Sequence, residues 1–335
     1  MRVCVVGAGS IGGFLAVKLA QSGNDVTVTA RGKHLEAIKK HGLLLKIGGE
    51  ELLASNLKAT DKLRDVGEQD VFFLAVKAHQ VEPIVDDISA VLGPKSCIVT
   101  LQNGIPWWFF QEFNGPFSGT VVRSVDPDGT LSKKIDPKRI IGCVVYPAAN
   151  IEAPGVIRHD EGIRFPIGEL DGSSSERVQA ISNMLVEAGF KSPILPDIRS
   201  ELFLKVWGSA CFNPVSALTH ATLEDLCTYP LTRELSINAL REIQAVGEKL
   251  GATFRVPLQR RLDGAKAVGQ HKTSTLQDVE NGREMEIDAI GGAVVELAKI
   301  AGVDIPHVET IYALSKLLNE NVRAGNMIRS QPKAA

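Results

Sequence analysis

The sequence predicts an α/β domain with a parallel sheet, followed by an all-α domain. Three observations support this prediction. The chain opens with a strand, a glycine turn, a helix and a second strand; more apolar strands follow; and from about residue 197 only helical spacing continues. The 335 residues suffice for two domains that each bury a core. We expect the domains to cover residues 1–196 and 197–325, divided within the proline-punctuated segment 193–198, with a disordered tail at 326–335.

The first thirty residues form one predicted βαβ unit. Residues 2–6 are a β-branched run, a glycine turn follows at 7–12, a helix ends near Gly23, and residues 25–30 alternate as a second strand. In this context G-x-G-x-x-G is typical of a Rossmann-type dinucleotide site, because its glycines permit a tight turn, close approach to a pyrophosphate and packing of helix on strand. The predicted cofactor-binding residues here are Gly7, Gly9, Ser10, Ile11 and Gly12.

The end of the second strand indicates which dinucleotide binds. An Asp or Glu there would bind the ribose hydroxyl of NAD, but the sequence continues Thr29-Ala30-Arg31-Gly32-Lys33 and has no acid. Arg31 offers a guanidinium fork, and Lys33 a point charge, to a 2′-phosphate. We therefore predict NADP(H) as cofactor; the alternative for Arg31 is a solvated loop arginine.

Two later strands also end in polar residues. The apolar run 70–76 leads to Lys77, and the run 96–102 leads to Asn103. Because ligands bind at the carboxyl ends of parallel strands, both side chains are predicted on the cofactor side. The remaining elements predicted before the boundary are a strand at 140–149, strands around Ile157 and Phe165, and a helix at 177–190.

The helical half contains an apolar run, LFLKVWGSACFNPVSALT, whose only formal charge is Lys205. On a helix Lys205, Ser209 and Asn213 stand four residues apart and share one face. Pro214 cannot donate a backbone hydrogen bond, so we expect the helix to bend or end beside Asn213. The hypothesis is that Lys205 is held for catalysis; the alternative is a lysine that extends to water.

A second helical segment carries many acids between residues 274 and 288. In one continuous helix Ser274 and Glu286 would lie about 18 Å apart, too far to contact one small substrate. Asn281-Gly282 is a turn signal, and a break there would bring Glu286 back toward the cleft. A final helix is predicted from Pro306.

Composition restricts the partners. A net charge of −2 gives no reason to expect nucleic acid or an anionic membrane, so the predicted partner is a small molecule. No apolar run reaches the roughly 18 residues typical of a membrane span, and Met1-Arg2 leads directly into a strand, so we predict a cytoplasmic protein. Five scattered cysteines indicate reduced thiols. The seven histidines show no metal-ligand spacing, and no G-x-S-x-G indicates a hydrolase.

Taken together, these motifs resemble the ketopantoate reductase (2-dehydropantoate 2-reductase) family. The resemblance runs through nearly the whole chain and rests on the glycine turn with Arg31, LAVKAHQ with Lys77, LQNG with Asn103, LKVWGSACFNPVSALT with Lys205, and the ST-LQD-GR-EID pattern from Ser274 to Asp288. It implies reduction of 2-dehydropantoate to pantoate by NADPH, a step toward pantothenate and coenzyme A.

The resemblance also implies roles for individual residues. Lys205 would be the general acid that protonates the ketone oxygen, and Glu286 would support it and the substrate. Ser274 would help to bind the substrate carboxylate, while Lys77 and Asn103 would lie by the cofactor. Hydride transfer builds alkoxide charge that an ammonium stabilises before it gives up a proton. Ser209 and Asn213, on the same helix face as Lys205, are the further predicted substrate-binding residues.

Three residues depart from the family pattern. Ser209, Leu223 and His271 stand where the family commonly has asparagine, which offers a donor and an acceptor to a substrate hydroxyl. These departures leave open an NADPH-dependent reductase of another 2-oxo or 3-oxo acid. A third hypothesis is a non-catalytic NADP(H)-sensing module, which would not need Lys205. A homodimer also stays open, because no sequence feature decides it.

Overall fold

The computed structural model describes residues 1–326 and divides into two compact units. The first unit contains residues 1–121 and 126–198, and the second contains Val122–Val125 together with the chain from Arg199 onward. Residues 327–335, nearly all of the tail expected to be disordered, lie outside the described residues.

The first unit contains eleven described strands and five α-helices. The strands are β1 (Arg2–Val6), β2 (Asp25–Thr29), β3 (Leu43–Ile47), β4 (Glu50–Ala54), β5 (Lys58–Thr60), β6 (Val71–Leu74), β7 (Cys97–Thr100), β8 (Ile140–Cys143), β9 (Ala148–Ala153), β10 (Val156–Glu161) and β11 (Ile167–Glu169). The helices are α1 (Ser10–Gln21), α2 (Gly32–His41), α3 (Val85–Val91), α4 (Thr130–Lys134) and α5 (Glu176–Glu187).

The main sheet has seven strands in the order β11-β8-β7-β6-β1-β2-β5. All of its pairs are parallel except β8 with β11. The strands β7, β6, β1 and β2 are neighbours, so their carboxyl ends stand side by side along one edge of the sheet. This arrangement confirms the predicted α/β fold class and brings together the four chain segments predicted to hold a dinucleotide.

A second sheet, not predicted from the sequence, lies on the other side of α1. Its order is β4-β3-β10-β9, and α1 contacts strands of both sheets. Gly13 permits this contact, because a Cβ there would lie 2.7 Å from Ile157. The apolar faces of α1 and of both sheets form one buried core.

One predicted strand was wrong in extent. Residues 140–149 do not form a single strand: β8 belongs to the main sheet, whereas β9 begins at Ala148 and belongs to the second sheet. Pro147 stands at the change and has no N–H to donate to a ladder. The proline therefore marks the point at which the chain passes from one sheet to the other.

The second unit contains seven described α-helices and no described strand, which confirms its predicted helical class. These are α6 (Ile198–Thr219), α7 (Leu223–Thr228), α8 (Pro230–Lys249), α9 (Leu258–Ala267), α10 (Ser274–Glu280), α11 (Ala293–Ala301) and α12 (Pro306–Arg323), with a π-helical turn at Asp288–Gly292.

A short strap from the middle of the chain, Val122–Val125, also belongs to this unit. The Glu296 carboxylate on α11 accepts the N–H groups of Arg123 and Ser124, both at 2.7 Å, and the Ser124 hydroxyl at 2.6 Å. One carboxylate therefore satisfies three donors of a segment that has no regular structure of its own.

The helix that carries Lys205 was expected to bend or to end beside Asn213, and it does not end there. α6 continues through Pro214 to Thr219. Val215 and Ala217 are buried after the proline, so their packing offsets the hydrogen bond that Pro214 cannot make. The Thr219 hydroxyl donates to the Val215 carbonyl at 2.7 Å and closes the last turn.

The predicted break at Asn281-Gly282 is confirmed. α10 ends at Glu280, Gly282 has a φ of +63°, and the Arg283 N–H returns to the Asp278 carbonyl at 2.8 Å. The chain is irregular up to Glu286, whose carbonyl accepts the Ile290 N–H at 3.1 Å. Ser274 and Glu286 are therefore not separated by one straight helix.

Candidate active site

The glycine turn after β1 is held by the end of β2. The Gly7 N–H donates to the Thr29 hydroxyl at 2.8 Å, and the Ala8 N–H donates to the Thr29 carbonyl at 2.7 Å. Gly7 has a φ of +100°, where a side chain would be strained. A Cβ on Gly12 would lie 2.0 Å from the Gly7 carbonyl oxygen, so α1 can approach the turn only with glycine there.

The same turn leaves room for a phosphate group. No atom lies within 4 Å of the position that a Cβ on Gly9 would take, and no side chain caps the N terminus of α1. Ser10 and Ile11 form the first helical turn and are half-buried. Uncapped N–H groups at a helix N terminus, under open space, fit a dinucleotide pyrophosphate.

His34 supports this turn and was not singled out from the sequence. Its Nδ1 accepts the Gly155 N–H at 3.0 Å, so Nε2 carries the proton and donates to the Ala8 carbonyl at 2.8 Å. Burial lowers the pKa of His34, although the Ala8 carbonyl opposes this shift. A single histidine in a polar helix gives no sequence signal for such a role.

The other residues predicted to bind the cofactor follow the neighbouring strands. Arg31 is exposed and directly precedes α2, and Lys33 is exposed in the first turn of that helix. Lys77 and Asn103 are half-buried beyond the ends of β6 and β7. The Gln102 amide donates to the Leu74 and Val76 carbonyls at 2.7 and 3.0 Å, which ties these two strand ends together.

In the second unit, α6 presents Lys205 on a partly accessible stripe. Lys205, Ser209 and Asn213 are half-buried, whereas Val206, Ala210 and most other residues between them are buried. The Ser209 hydroxyl donates to the Lys205 carbonyl at 3.2 Å. The structure therefore brings the three predicted polar residues to one face.

The opposite face of α6 fixes the orientation of that stripe. The Trp207 indole N–H donates to the Leu240 carbonyl of α8 at 2.7 Å, and its ring contacts Phe254 edge-on at 4.9 Å. Trp207 is fully buried, so a rotation of α6 would break a buried hydrogen bond and open the core.

Glu286 is held by contacts on either side of it along the chain. The Met285 N–H donates to the buried Asn319 side chain at 2.8 Å. Beyond Glu286, the Asp288 carboxylate accepts from the Tyr312 hydroxyl at 2.8 Å and from Lys316 at 2.6 Å. Burial, together with the Asp288 carboxylate, raises the pKa of Tyr312 above its usual range. Glu286 itself is half-buried and begins the turn that leads into the π-helix.

Ser274 lies at the first position of α10 and is exposed. Thr273, not Ser274, caps this helix, since its hydroxyl accepts the Leu276 N–H at 3.2 Å. Two of the residues that depart from the family pattern are hydrogen-bonded to each other: the Leu223 N–H donates to the His271 carbonyl at 3.2 Å. Both residues are half-buried.

Within residues 1–326, no helix is both long and apolar enough to cross a membrane. In that same range, no cluster of three or more His, Cys, Asp or Glu side chains could hold a metal ion.

The fold and the glycine turn define the class: a dinucleotide-binding α/β protein with an appended helical unit. Residues 3–172 match the signature described as "Ketopantoate reductase PanE/ApbA", and residues 197–319 match the C-terminal signature of the same family. The chain belongs to the ketopantoate reductase PanE/ApbA family. It is therefore an oxidoreductase of the NAD(P)-dependent type.

Relatives extend over almost the whole chain. A 2-dehydropantoate 2-reductase of Mesorhizobium japonicum is 47% identical over 95% of this chain and 98% of its own. A crystal structure from Ralstonia solanacearum MolK2, provisionally named ketopantoate reductase, is 34% identical with a TM-score of 0.91, over 96% of this chain and 98% of that one. A D-mandelate dehydrogenase solved with NADH shares the fold at 21% identity and a TM-score of 0.81, over 96% of this chain and 100% of that one.

Proposed function

We propose that the chain reduces 2-dehydropantoate to pantoate with NADPH, with residues 1–196 as the cofactor domain and 197–325 as the substrate and catalytic domain. The main observation in support is that Lys205 lies half-buried on the polar stripe of α6. The opposite face of this helix is fixed through Trp207. The relative at 47% identity bears the name of this same reaction, which supports the substrate.

NADPH, when bound, supplies the hydride that reduces the ketone carbon. Negative charge then develops on the ketone oxygen, and the Lys205 ammonium stabilises it and donates the proton. The Glu286 carboxylate supports Lys205 and the substrate, which is the role that the family resemblance implies for it. Ser209 and Asn213 orient the substrate, and the Ser274 hydroxyl binds its carboxylate.

The test is Lys205→Met, with Lys249→Met as matched control because Lys249 is exposed on α8. We expect kcat for 2-dehydropantoate to fall about 10²- to 10⁴-fold with the dissociation constant of NADPH unchanged. Consumption of NADPH measures turnover, and fluorescence titration measures binding. Undiminished turnover by Lys205→Met would refute the assignment, and a wild-type protein that binds NADPH tightly but turns over no acid would indicate the sensor instead.

The preference for NADP(H) over NAD(H) is assigned to Arg31 and Lys33. Arg31→Ala removes a charged contact to the 2′-phosphate, and we expect NADPH to bind about 10- to 100-fold more weakly while NADH affinity stays the same. Lys39→Ala is the control, since Lys39 is exposed on α2, the helix that Arg31 precedes. An equal loss for both cofactors would show that Arg31 does not read the phosphate.

A second candidate is reduction of a different 2-oxo or 3-oxo acid. It is favoured by the pairing of Leu223 with His271, which places two departures from the family pattern next to each other. A panel of 2-oxo acids of differing side chain, assayed beside 2-dehydropantoate, decides between the two. A kcat/KM highest for 2-dehydropantoate supports the first candidate, and a maximum on another acid supports the second.

Pairing of two chains and a cytoplasmic location stay predictions. Light scattering of the purified protein measures the first, and fractionation of the cells measures the second.

A further inference from the structure

Arg261 of α9 lies against the helix that carries Lys205. A Cβ built on Gly208 of α6 would stand 1.8 Å from an Arg261 terminal nitrogen, 2.7 Å from its Cζ and 3.0 Å from its Nε. The guanidinium therefore occupies the space in which a side chain at position 208 would lie. Gly208 follows Lys205 by three residues, so these two positions are neighbours on one helix face.

The loop before α9 is fixed to the first turns of α6. The Thr253 N–H donates to the Ser200 hydroxyl at 2.8 Å, and Arg255 donates to the buried Glu201 carboxylate at 2.6 Å. These contacts set where α9 begins along α6. The start of α9, the helix from which Arg261 extends toward Gly208, is thus held in place through the loop that precedes it.

Glycine at position 208 lowers the stability of α6, so another property of glycine must account for it. It stands inside a helix of 22 residues, where glycine is the least favourable residue after proline. Its φ lies outside the left-handed region, so the backbone does not require glycine there. What glycine provides is close approach of the guanidinium to the backbone of α6 at position 208, about one helical turn after Lys205.

This face needs an anion-binding group for the chemistry proposed above. A 2-oxo acid has its carboxylate one bond from the ketone carbon, so a group that binds the carboxylate must lie near the group that protonates the ketone oxygen. Arginine binds carboxylates through two parallel hydrogen bonds, which fixes their orientation as well as their charge. Ser274, the residue implied by the family resemblance, is exposed and carries no charge.

We propose that Arg261 supplies the charged contact to the carboxylate of the 2-oxo acid, in addition to the hydrogen bond assigned to Ser274, and that Gly208 is the residue that admits it. The proposal rests on the proposed function, because it takes Lys205 as the proton donor. Arg261 then sets specificity for acids over neutral ketones, and the orientation it imposes presents the ketone oxygen to Lys205.

Three variants test the proposal. Arg261→Met removes the charge at similar length, Arg261→Lys keeps the charge without the fork, and Gly208→Ala places a methyl group where the guanidinium lies. Arg260→Met is the matched control, because Arg260 is exposed on the same helix. Each is assayed with 2-dehydropantoate and with its neutral amide, and binding of pantoate in the presence of NADP⁺ is measured by calorimetry.

For Arg261→Met we expect KM for the acid, and the dissociation constant of pantoate, to rise about 10- to 100-fold. KM for the amide and the affinity for NADPH should stay within about twofold, and Arg261→Lys should recover part of the loss. Gly208→Ala should raise KM for the acid about tenfold without lowering thermal stability, because alanine favours the helix and the long arginine can move aside. A purely structural arginine would instead lower stability and weaken acid and amide equally.

An unchanged KM for the acid in Arg261→Met, or equal increases for acid and amide, would overturn the inference. If turnover depends on Lys205 while Arg261→Met has no effect, only the inference fails. If wild type binds pantoate through Arg261 but Lys205→Met keeps full turnover, only the proposed catalytic role fails. Absence of any acid binding by wild type would overturn both.

Discussion

Replacing His34 by leucine tests whether its ring supports the dinucleotide turn. The change removes the acceptor of the Gly155 N–H and the donor to the Ala8 carbonyl, at 3.0 and 2.8 Å. Each such hydrogen bond contributes about 1 kcal/mol net, so the free energy of unfolding should fall by about 2 kcal/mol. Because Ala8 lies inside the glycine turn, NADPH should also bind more weakly, by about three- to tenfold.

The pH dependence of stability follows from the lowered pKa of His34. The unfolded chain, with an ordinary pKa of about 6.5, takes up a proton more readily than the folded chain does. The contribution of His34 is therefore complete above about pH 6.5 and is lost as the pH falls from there toward the lowered folded pKa. Within that window the slope is at most about 1.4 kcal/mol per pH unit.

Urea unfolding from pH 5 to 8 (about the range in which histidine titrates) measures both effects. His41→Leu is the control, because His41 is exposed at the end of the same helix. We expect the wild-type and His34→Leu curves to converge as the pH falls, and the His41→Leu curve to run parallel to wild type. Equal stability of His34→Leu and wild type at pH 8, or a constant difference at every pH, would refute the reasoning.

Three further variants have outcomes that the structure determines. Gly12→Ala places a Cβ 2.0 Å from a backbone oxygen that cannot move aside. Titration should then show no NADPH binding, and the free energy of unfolding in urea should fall by about 1–3 kcal/mol. A near-normal affinity would contradict this. Trp207→Phe leaves the Leu240 carbonyl without its buried donor, so we expect the free energy of unfolding in urea to fall by about 1–3 kcal/mol. An unchanged value would contradict this. Glu296→Gln replaces one of two accepting oxygens that hold the strap, and thermal unfolding should show lower stability, whereas a neutral result would mean that solvent satisfies these donors.

The features that the sequence could predict are those determined by residues close together in the chain. The glycine turn combines a strand, a fixed spacing and a helix start within twelve residues; the predicted strand matches β1, whereas α1 begins at Ser10, inside the predicted turn. The break at Asn281-Gly282 was equally predictable, because Gly282 occupies the left-handed region that glycine favours. The polar stripe around Lys205 required only the helical repeat.

What was missed depends on contacts between distant segments. The second sheet pairs β3 with β10, more than one hundred residues apart; the sequence predicted a strand around Ile157 but not its partner. His34 reaches Gly155 across 121 positions, and Arg261 reaches Gly208 from another helix. An end of the helix at Pro214 was one of two expected outcomes, yet burial of the residues after it keeps α6 continuous.

The strap at 122–125 has a consequence for how the chain folds during synthesis. Its amide donors are 172 and 173 positions ahead of Glu296, which accepts them. A ribosome that adds about 5–20 residues per second needs roughly 10 to 35 seconds to produce that carboxylate after the strap has emerged. Through that interval the three donors lack the carboxylate that accepts them in the folded protein, so the helical unit cannot be completed while the rest of the chain is still being made.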